Sequence, residues 1–247
     1  MMSPISLTPL LKKLLAYTPY RISRSAPNRF EGIEAFLGQI ARRDYRPRVI
    51  IDGGAHLGWF AKKARTAFPA ADIHLVDPQP ACAATLRATA TLPGFHFHPI
   101  ALTSERKTVR MICDEVPNTG AHVAWSGNQH QANVDVQGDT LDALFGKSID
   151  AESRAFVKLD LQGHELLALR GGRQILRHVE LVLTEFSFFR QLEEASAADL
   201  LLFLDEAEFD LFDIVGVAGR VRDDRARSGD LVFARRQSPL WADRTWG

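Results

Sequence analysis

Three titratable side chains, Asp160, His164 and Glu165, cluster in the run Lys158-Leu-Asp-Leu-Gln-Gly-His-Glu165. Two carboxylates around an imidazole, whose unperturbed pKa is near 6.5, suit proton transfer at neutral pH. Two further carboxylates, Asp52 and Asp77, end short apolar runs, and the first opens a glycine-rich turn, Asp52-Gly-Gly-Ala-His-Leu-Gly58. Glycine lets backbone approach a ligand closely and take φ angles that side chains disfavour. Asp52, Gly53, Gly54, Ala55, His56 and Gly58 are therefore candidate cofactor-binding residues.

The spacing Gly53-x-Ala55-x-x-Gly58 comes close to a dinucleotide fingerprint, so the glycines alone leave two cofactors open. A carboxylate at Asp52 would repel a pyrophosphate but attract an ammonium group, which favours S-adenosylmethionine over NAD. Asp77, in a turn stiffened by Pro78 and Pro80, can accept both hydroxyls of a ribose. Ala101 falls where backbone would meet an adenine edge. Each residue also has a plainer reading: a turn or cap for Asp77, a strand alanine for Ala101, a solvent-facing histidine for His164, and for Glu165 a favourable charge at a helix N-terminus.

Such side chains need strand ends and turns to present them. β-branched runs alternate with helix-like segments, the pattern of an α/β fold with a largely parallel sheet. Strands are expected at Arg48–Asp52, Asp72–Asp77, Phe95–Leu102, Ala155–Asp160 and Glu180–Glu185, with helices over Trp59–Phe68, Ala81–Thr91, His164–Leu176 and Ala197–Glu206. Strands Phe209–Val215 and Asp230–Arg235 close the chain. The layout predicts a class I methyltransferase Rossmann-like fold: a seven-stranded, mostly parallel sheet with a terminal antiparallel hairpin and helices on both faces. Residues 1–47 read as an N-terminal helical extension, 48–236 as the α/β domain and 237–247 as a tail. Residues 108–138 break the rhythm and read as a substrate-facing insertion. The arginine-rich run Gly219 to Gly229 reads as a solvated hairpin tip that could also steer an anionic acceptor. Trp241 and Trp246 are expected to dock on the domain, a second subunit or a sugar.

The 247 residues carry 30 basic and 30 acidic side chains, so no global field favours nucleic acid. Cys82 and Cys113 stand far apart, which suits a reducing cytoplasm. Lys12 and Lys13 interrupt Leu10, Leu11, Leu14 and Leu15, leaving a short amphipathic segment over Leu7 to Tyr17 rather than a membrane span. His96 and His98 share a strand face without a third ligand at suitable spacing, and Glu185-Phe-Ser187 lacks the carboxylate–amide pair of a magnesium site. No metal is expected.

Together these motifs resemble the FkbM family of methyltransferases, whose members show Asp-x-Gly-Ala-Asn-x-Gly, Glu-Pro-x-Pro and Lys-Ile-Asp-x-Glu-Gly-x-Glu. The counterparts here are Asp52 to Gly58, Asp77-Pro-Gln-Pro80 and Lys158 to Glu165, with Thr140-Leu-Asp142 and Thr184-Glu185 also similar. His56 replaces the family's asparagine, Asp77 its first glutamate and Gln162 a later one. The resemblance implies O-methylation of a hydroxyl on a sugar, glycolipid, polysaccharide or secondary metabolite. In that chemistry Asp160 would orient acceptor or cofactor, His164 act as base and Glu165 bind the acceptor. A small molecule or glycan is the expected partner, with homodimerisation an option. An NAD-dependent oxidoreductase and a non-catalytic cofactor-binding module are the alternatives.

Overall fold

The run Val49–Gly53, buried at every position, forms strand β1. The computed structural model describes residues 29–188, 196–220, 222–223 and 225–242. Helix α1 (Arg29–Arg42) precedes β1, and α2 (Trp59–Ala67), β2 (Asp72–Val76), α3 (Pro80–Thr89) and β3 (Phe95–His98) follow it. Next come β4 (Ala101–Leu102), β5 (Lys107–Ile112), β6 (His122–Val123), β7 (Val134–Asp139) and α4 (Leu141–Phe145). The chain continues through β8 (Ala155–Leu159), α5 (Glu165–Arg170), β9 (Val179–Ser187), α6 (Ala197–Glu206), β10 (Phe209–Gly219) and β11 (Ala226–Arg235).

The main sheet has seven strands in the order β10-β11-β9-β8-β1-β2-β3. β3, β2, β1, β8 and β9 run parallel, whereas β11 is antiparallel to both β9 and β10. Alternate side chains of each strand feed two cores. Ile50, Ile73 and Phe156 pack with α1, α2 and α3 on one face, while Ile51, Val76 and Val157 pack with α4, α5 and α6 on the other. This is the expected class I fold. The all-parallel dinucleotide order of an oxidoreductase does not accommodate the inserted antiparallel β11.

Several boundaries differ from expectation. The third strand stops at His98, and Ala101–Leu102 instead joins a second, four-stranded sheet of order β4-β7-β5-β6 whose other strands come largely from the insertion. The helix expected to reach Leu176 ends at Arg170, and its C-cap Gly171 packs against backbone, where a Cβ would lie 2.3 Å from the Thr103 carbonyl oxygen. β10 and β11 run deeper into the arginine-rich segment than expected, so Arg227 lies on a strand. α1 presses directly on β10, where a Cβ on Gly32 would sit 1.8 Å from the Val215 carbonyl oxygen. Trp241 docks on its own domain, donating from Nε1 to the Arg235 carbonyl at 3.1 Å and packing against Phe212. Trp246 and Leu7 to Tyr17 lie outside the described residues.

Candidate active site

The parallel register sets Asp52 of β1 directly beside Lys158 of β8. Their side chains pair in the interior, Lys158 Nζ lying 2.9 Å from Asp52 Oδ1 with 7% and 0% exposure. The ammonium also donates to the carbonyls of Gly53 at 3.0 Å and Gly54 at 2.9 Å. Burial raises the Asp52 pKa, opposed by the charge and hydrogen bonding of Lys158. Asp52 is therefore committed beneath the turn and does not line the cavity above it. The expectation that it faces a ligand's ammonium group is corrected: its negative charge is already held by Lys158.

Gly53 and Gly58 are also absent from the cavity lining. Gly53 permits close strand packing, for a Cβ there would meet the Leu159 and Leu102 side chains at 2.8 and 3.0 Å. Gly58, at φ 75°, caps α2. Gly54, Ala55 and His56 form the exposed part of the turn. At φ 72°, a Cβ on Gly54 would lie 2.0 Å from the Asp160 carbonyl oxygen, so the turns after β1 and β8 touch through backbone. His56 is left-handed at φ 49°, a conformation in which asparagine and histidine are both enriched, which accounts for histidine at the family's asparagine position.

Asp77 links the turns after β1 and β2. Its Oδ2 accepts from the His56 N–H at 2.7 Å and its Oδ1 from the Gln79 N–H at 2.8 Å. Burial raises its pKa, with those two donors opposing the shift. Asp77, Pro78 and Ala101 line a cavity of about 870 Å³ together with Gly54, Ala55 and His56. α1 contributes Phe30 and Ile33 to the same cavity, and the insertion contributes Met111, His122 and Val123.

The turn after β8 brings Asp160, Gln162 and His164 to the cavity, where Glu185 from β9 joins them. The Gln162 side-chain amide donates to Asp160 Oδ1 at 2.8 Å and to Glu185 Oε2 at 3.0 Å, from a backbone at φ 54°. Burial, then the positive charge of Lys107, push the His164 pKa down to about 4, and its Nε2 is buried without a hydrogen-bond partner. Glu165 does not line this cavity. Its Oε1 accepts from the Leu161 N–H at 2.6 Å and its Oε2 from the Gly163 N–H at 3.1 Å, closing its own turn, while burial raises its pKa to about 7. Glu165 thus supports the Asp160–Gly163 turn, and it borders an adjoining cavity of about 260 Å³ rather than this one.

The matching family description is "Methyltransferase FkbM domain", over residues 52–211. The chain belongs to the FkbM methyltransferase family. Membership makes S-adenosylmethionine the methyl donor, and the residues present fit it: a glycine turn open to close approach, a carboxylate on the cavity wall at Asp77, and a buried, unpartnered His56 Nε2. No curated protein gives a significant match. Among solved structures, magnesium protoporphyrin IX methyltransferase from Synechocystis PCC 6803 with bound SAM aligns at TM-score 0.46 and 10% identity, covering 95% of this chain and 100% of that one. Precorrin-6y C5,15-methyltransferase from Geobacter metallireducens GS-15 aligns at TM-score 0.45 and 10% identity, covering 87% and 95%.

Sequence reasoning missed Lys158 as the partner of Asp52 and Gln162 as a bridge. Gln162 carried a signal as a departure from the family motif. His74 of β2 also joins His96 and His98, contrary to expectation. His74 Nδ1 lies 3.0 Å from His98 Nε2, while the His74 and His96 rings stack at 4.7 Å. Among the described residues no group of three or more His, Cys, Asp or Glu has a metal-holding arrangement.

Proposed function

We propose that this FkbM methyltransferase transfers the methyl group of S-adenosylmethionine to a hydroxyl oxygen on a sugar, glycolipid, polysaccharide or hydroxylated secondary metabolite. The observation that carries this reading is the meeting, in one cavity, of the Gly54 and Asp77 turns with the bridged Asp160–Gln162–Glu185 group. When bound, the cofactor supplies an electrophilic methyl group on a positively charged sulfur. Asp77 would accept the ribose hydroxyls, Gly54 and Ala55 would leave room for the methionine moiety, and His56 would donate to its carboxylate. Pro78 and Ala101 would border the adenine. Carboxylates at Asp160 and Glu185 accept hydrogen bonds from hydroxyl donors, which suits a polyhydroxylated acceptor. His164, held neutral by burial, would shape this wall rather than carry charge.

The reading includes a cytoplasmic protein, in keeping with free Cys82 and Cys113; no helix among the described residues is long and apolar enough to cross a membrane. It also includes a homodimer, supported by Leu211, Ile214 and Val217, which are exposed on the outermost strand β10. Calorimetry with S-adenosylmethionine and NAD, followed by transfer of a labelled methyl group to a panel of sugars, tests the function. Binding of S-adenosylmethionine alone, with label on an ether oxygen, is expected. Preference for NAD, or label appearing only on nitrogen or carbon, would sink it.

A further inference from the structure

We infer that Glu185 receives the proton of the acceptor hydroxyl, and that Gln162 is the positioning residue that holds Glu185 and Asp160 in place for the transfer. This rests on the methyltransferase reading of the cavity. The geometry assigns distinct places to the two carboxylates. Asp160 lines only the main cavity, beside the Gly54 turn; Glu185 also borders an adjoining cavity of about 260 Å³. Gln162, His122 and Arg227 border both spaces. An acceptor arriving from the smaller cavity therefore meets Glu185 on its way to the cofactor turns.

The other candidates are already committed. Glu165 borders the smaller cavity but not the main one, and its carboxylate is tied to the backbone of its own turn. His164 is a weak base in its buried setting. Gln162 offers two N–H donors from one nitrogen, so it can hold two carboxylates while leaving them as acceptors. The glutamate found here in the family would instead set a third carboxylate, without an N–H donor, against these two. Besides Asp160 and Gln162, the groups around Glu185 are His164 and Glu165 on or before α5, His122 on β6, and Arg227 and Asp230 on β11, the last paired with Glu185 in register.

In the step itself the acceptor's O–H bond breaks as its oxygen bonds to the methyl carbon. The proton passes to Glu185, giving the neutral acid, and the pair from the broken carbon–sulfur bond stays on sulfur. The positive charge of the donor and the negative charge of Glu185 disappear together.

Sinefungin, an analogue with a protonated amine at the position of the methyl group, reads this charge directly against S-adenosylhomocysteine. By calorimetry at pH 8, wild-type protein should bind sinefungin about tenfold more tightly, the scale of a charge-assisted hydrogen bond. Glu185→Gln should lose most of that preference while keeping its affinity for S-adenosylhomocysteine within about twofold. Gln162→Asn tolerates the left-handed backbone but is too short to bridge, and should lose part of the preference. With any acceptor turned over in the labelled-methyl assay, Glu185→Gln should lower kcat about 100-fold. If S-adenosylhomocysteine binds but wild type shows no preference, or the preference survives in Glu185→Gln, the assignment of Glu185 is overturned. Undiminished preference in Gln162→Asn overturns the positioning role, and failure of S-adenosylhomocysteine to bind at all removes the methyltransferase reading with both.

Discussion

Replacing Lys158 by methionine tests whether the cofactor turn rests on a buried ion pair. The substitution keeps an unbranched apolar stem but removes the ammonium group that lies 2.9 Å from Asp52 Oδ1 and donates to the Gly53 and Gly54 carbonyls at 3.0 and 2.9 Å. Asp52 is wholly buried, so its carboxylate would be left as an uncompensated interior charge. Breaking one side of such a pair costs about 3 to 5 kcal/mol. The sign of the pH dependence follows from Asp52, whose pKa burial already raises and which loses the opposing effect of Lys158. Folded Lys158→Met then binds a proton more readily than its unfolded chain does, so its deficit is largest at pH 8 and shrinks as pH falls through the folded Asp52 pKa. Urea unfolding from pH 5 to 8 measures this. Adding Asp52→Asn should recover about half of the loss at pH 8, because the interior charge disappears with its partner. A loss below about 1 kcal/mol, or a deficit independent of pH, would refute the argument that the pair supports the turn.

Asp77→Ala should weaken S-adenosylmethionine binding by roughly 1.5 to 3 kcal/mol, and unchanged affinity in calorimetry would rule out its ribose contact. Gly54→Ala, which forces a Cβ to within 2.0 Å of the Asp160 carbonyl oxygen at φ 72°, should cost about 3 kcal/mol or more and lower cofactor affinity; a wild-type thermal midpoint would contradict that packing. The His74 pKa is lowered to about 4, first by burial and then by His98 and His96. Its contribution is therefore present above the unfolded value of 6.5 and lost as pH falls toward 4, by roughly 2 kcal/mol after allowance for solvent screening. His74→Phe should flatten that acid limb in denaturant titrations, and an unchanged limb would assign the loss to other groups.

The turn at Gly54 and the strand–helix rhythm around it were legible because both are local properties. β-branched runs favour strands, glycine admits left-handed φ angles, and proline stiffens the turn after Asp77. The insertion was visible for the same reason, as a break in the rhythm, although its short strand β6 and the separation of β4 from the third strand were not. Each of these strands contains two residues, too few for an alternating pattern to register.

Sequence alone determined the fold class, the family and the turns at which ligand-facing residues gather. It did not determine where individual side chains point. Asp52 reads as a ligand-facing carboxylate until parallel pairing sets it beside Lys158, far along the chain. That the Glu165 carboxylate folds back onto the N–H groups of Leu161 and Gly163 is likewise invisible in the motif. His74 meets His96 and His98 only through the β2–β3 register. Gln162 gains its place between two carboxylates from its left-handed backbone and the arrival of β9. Local propensity sets the period of each element and the shape of its turns, whereas the partner of a buried charge depends on strand register and burial between segments distant in sequence, which only the tertiary structure decides.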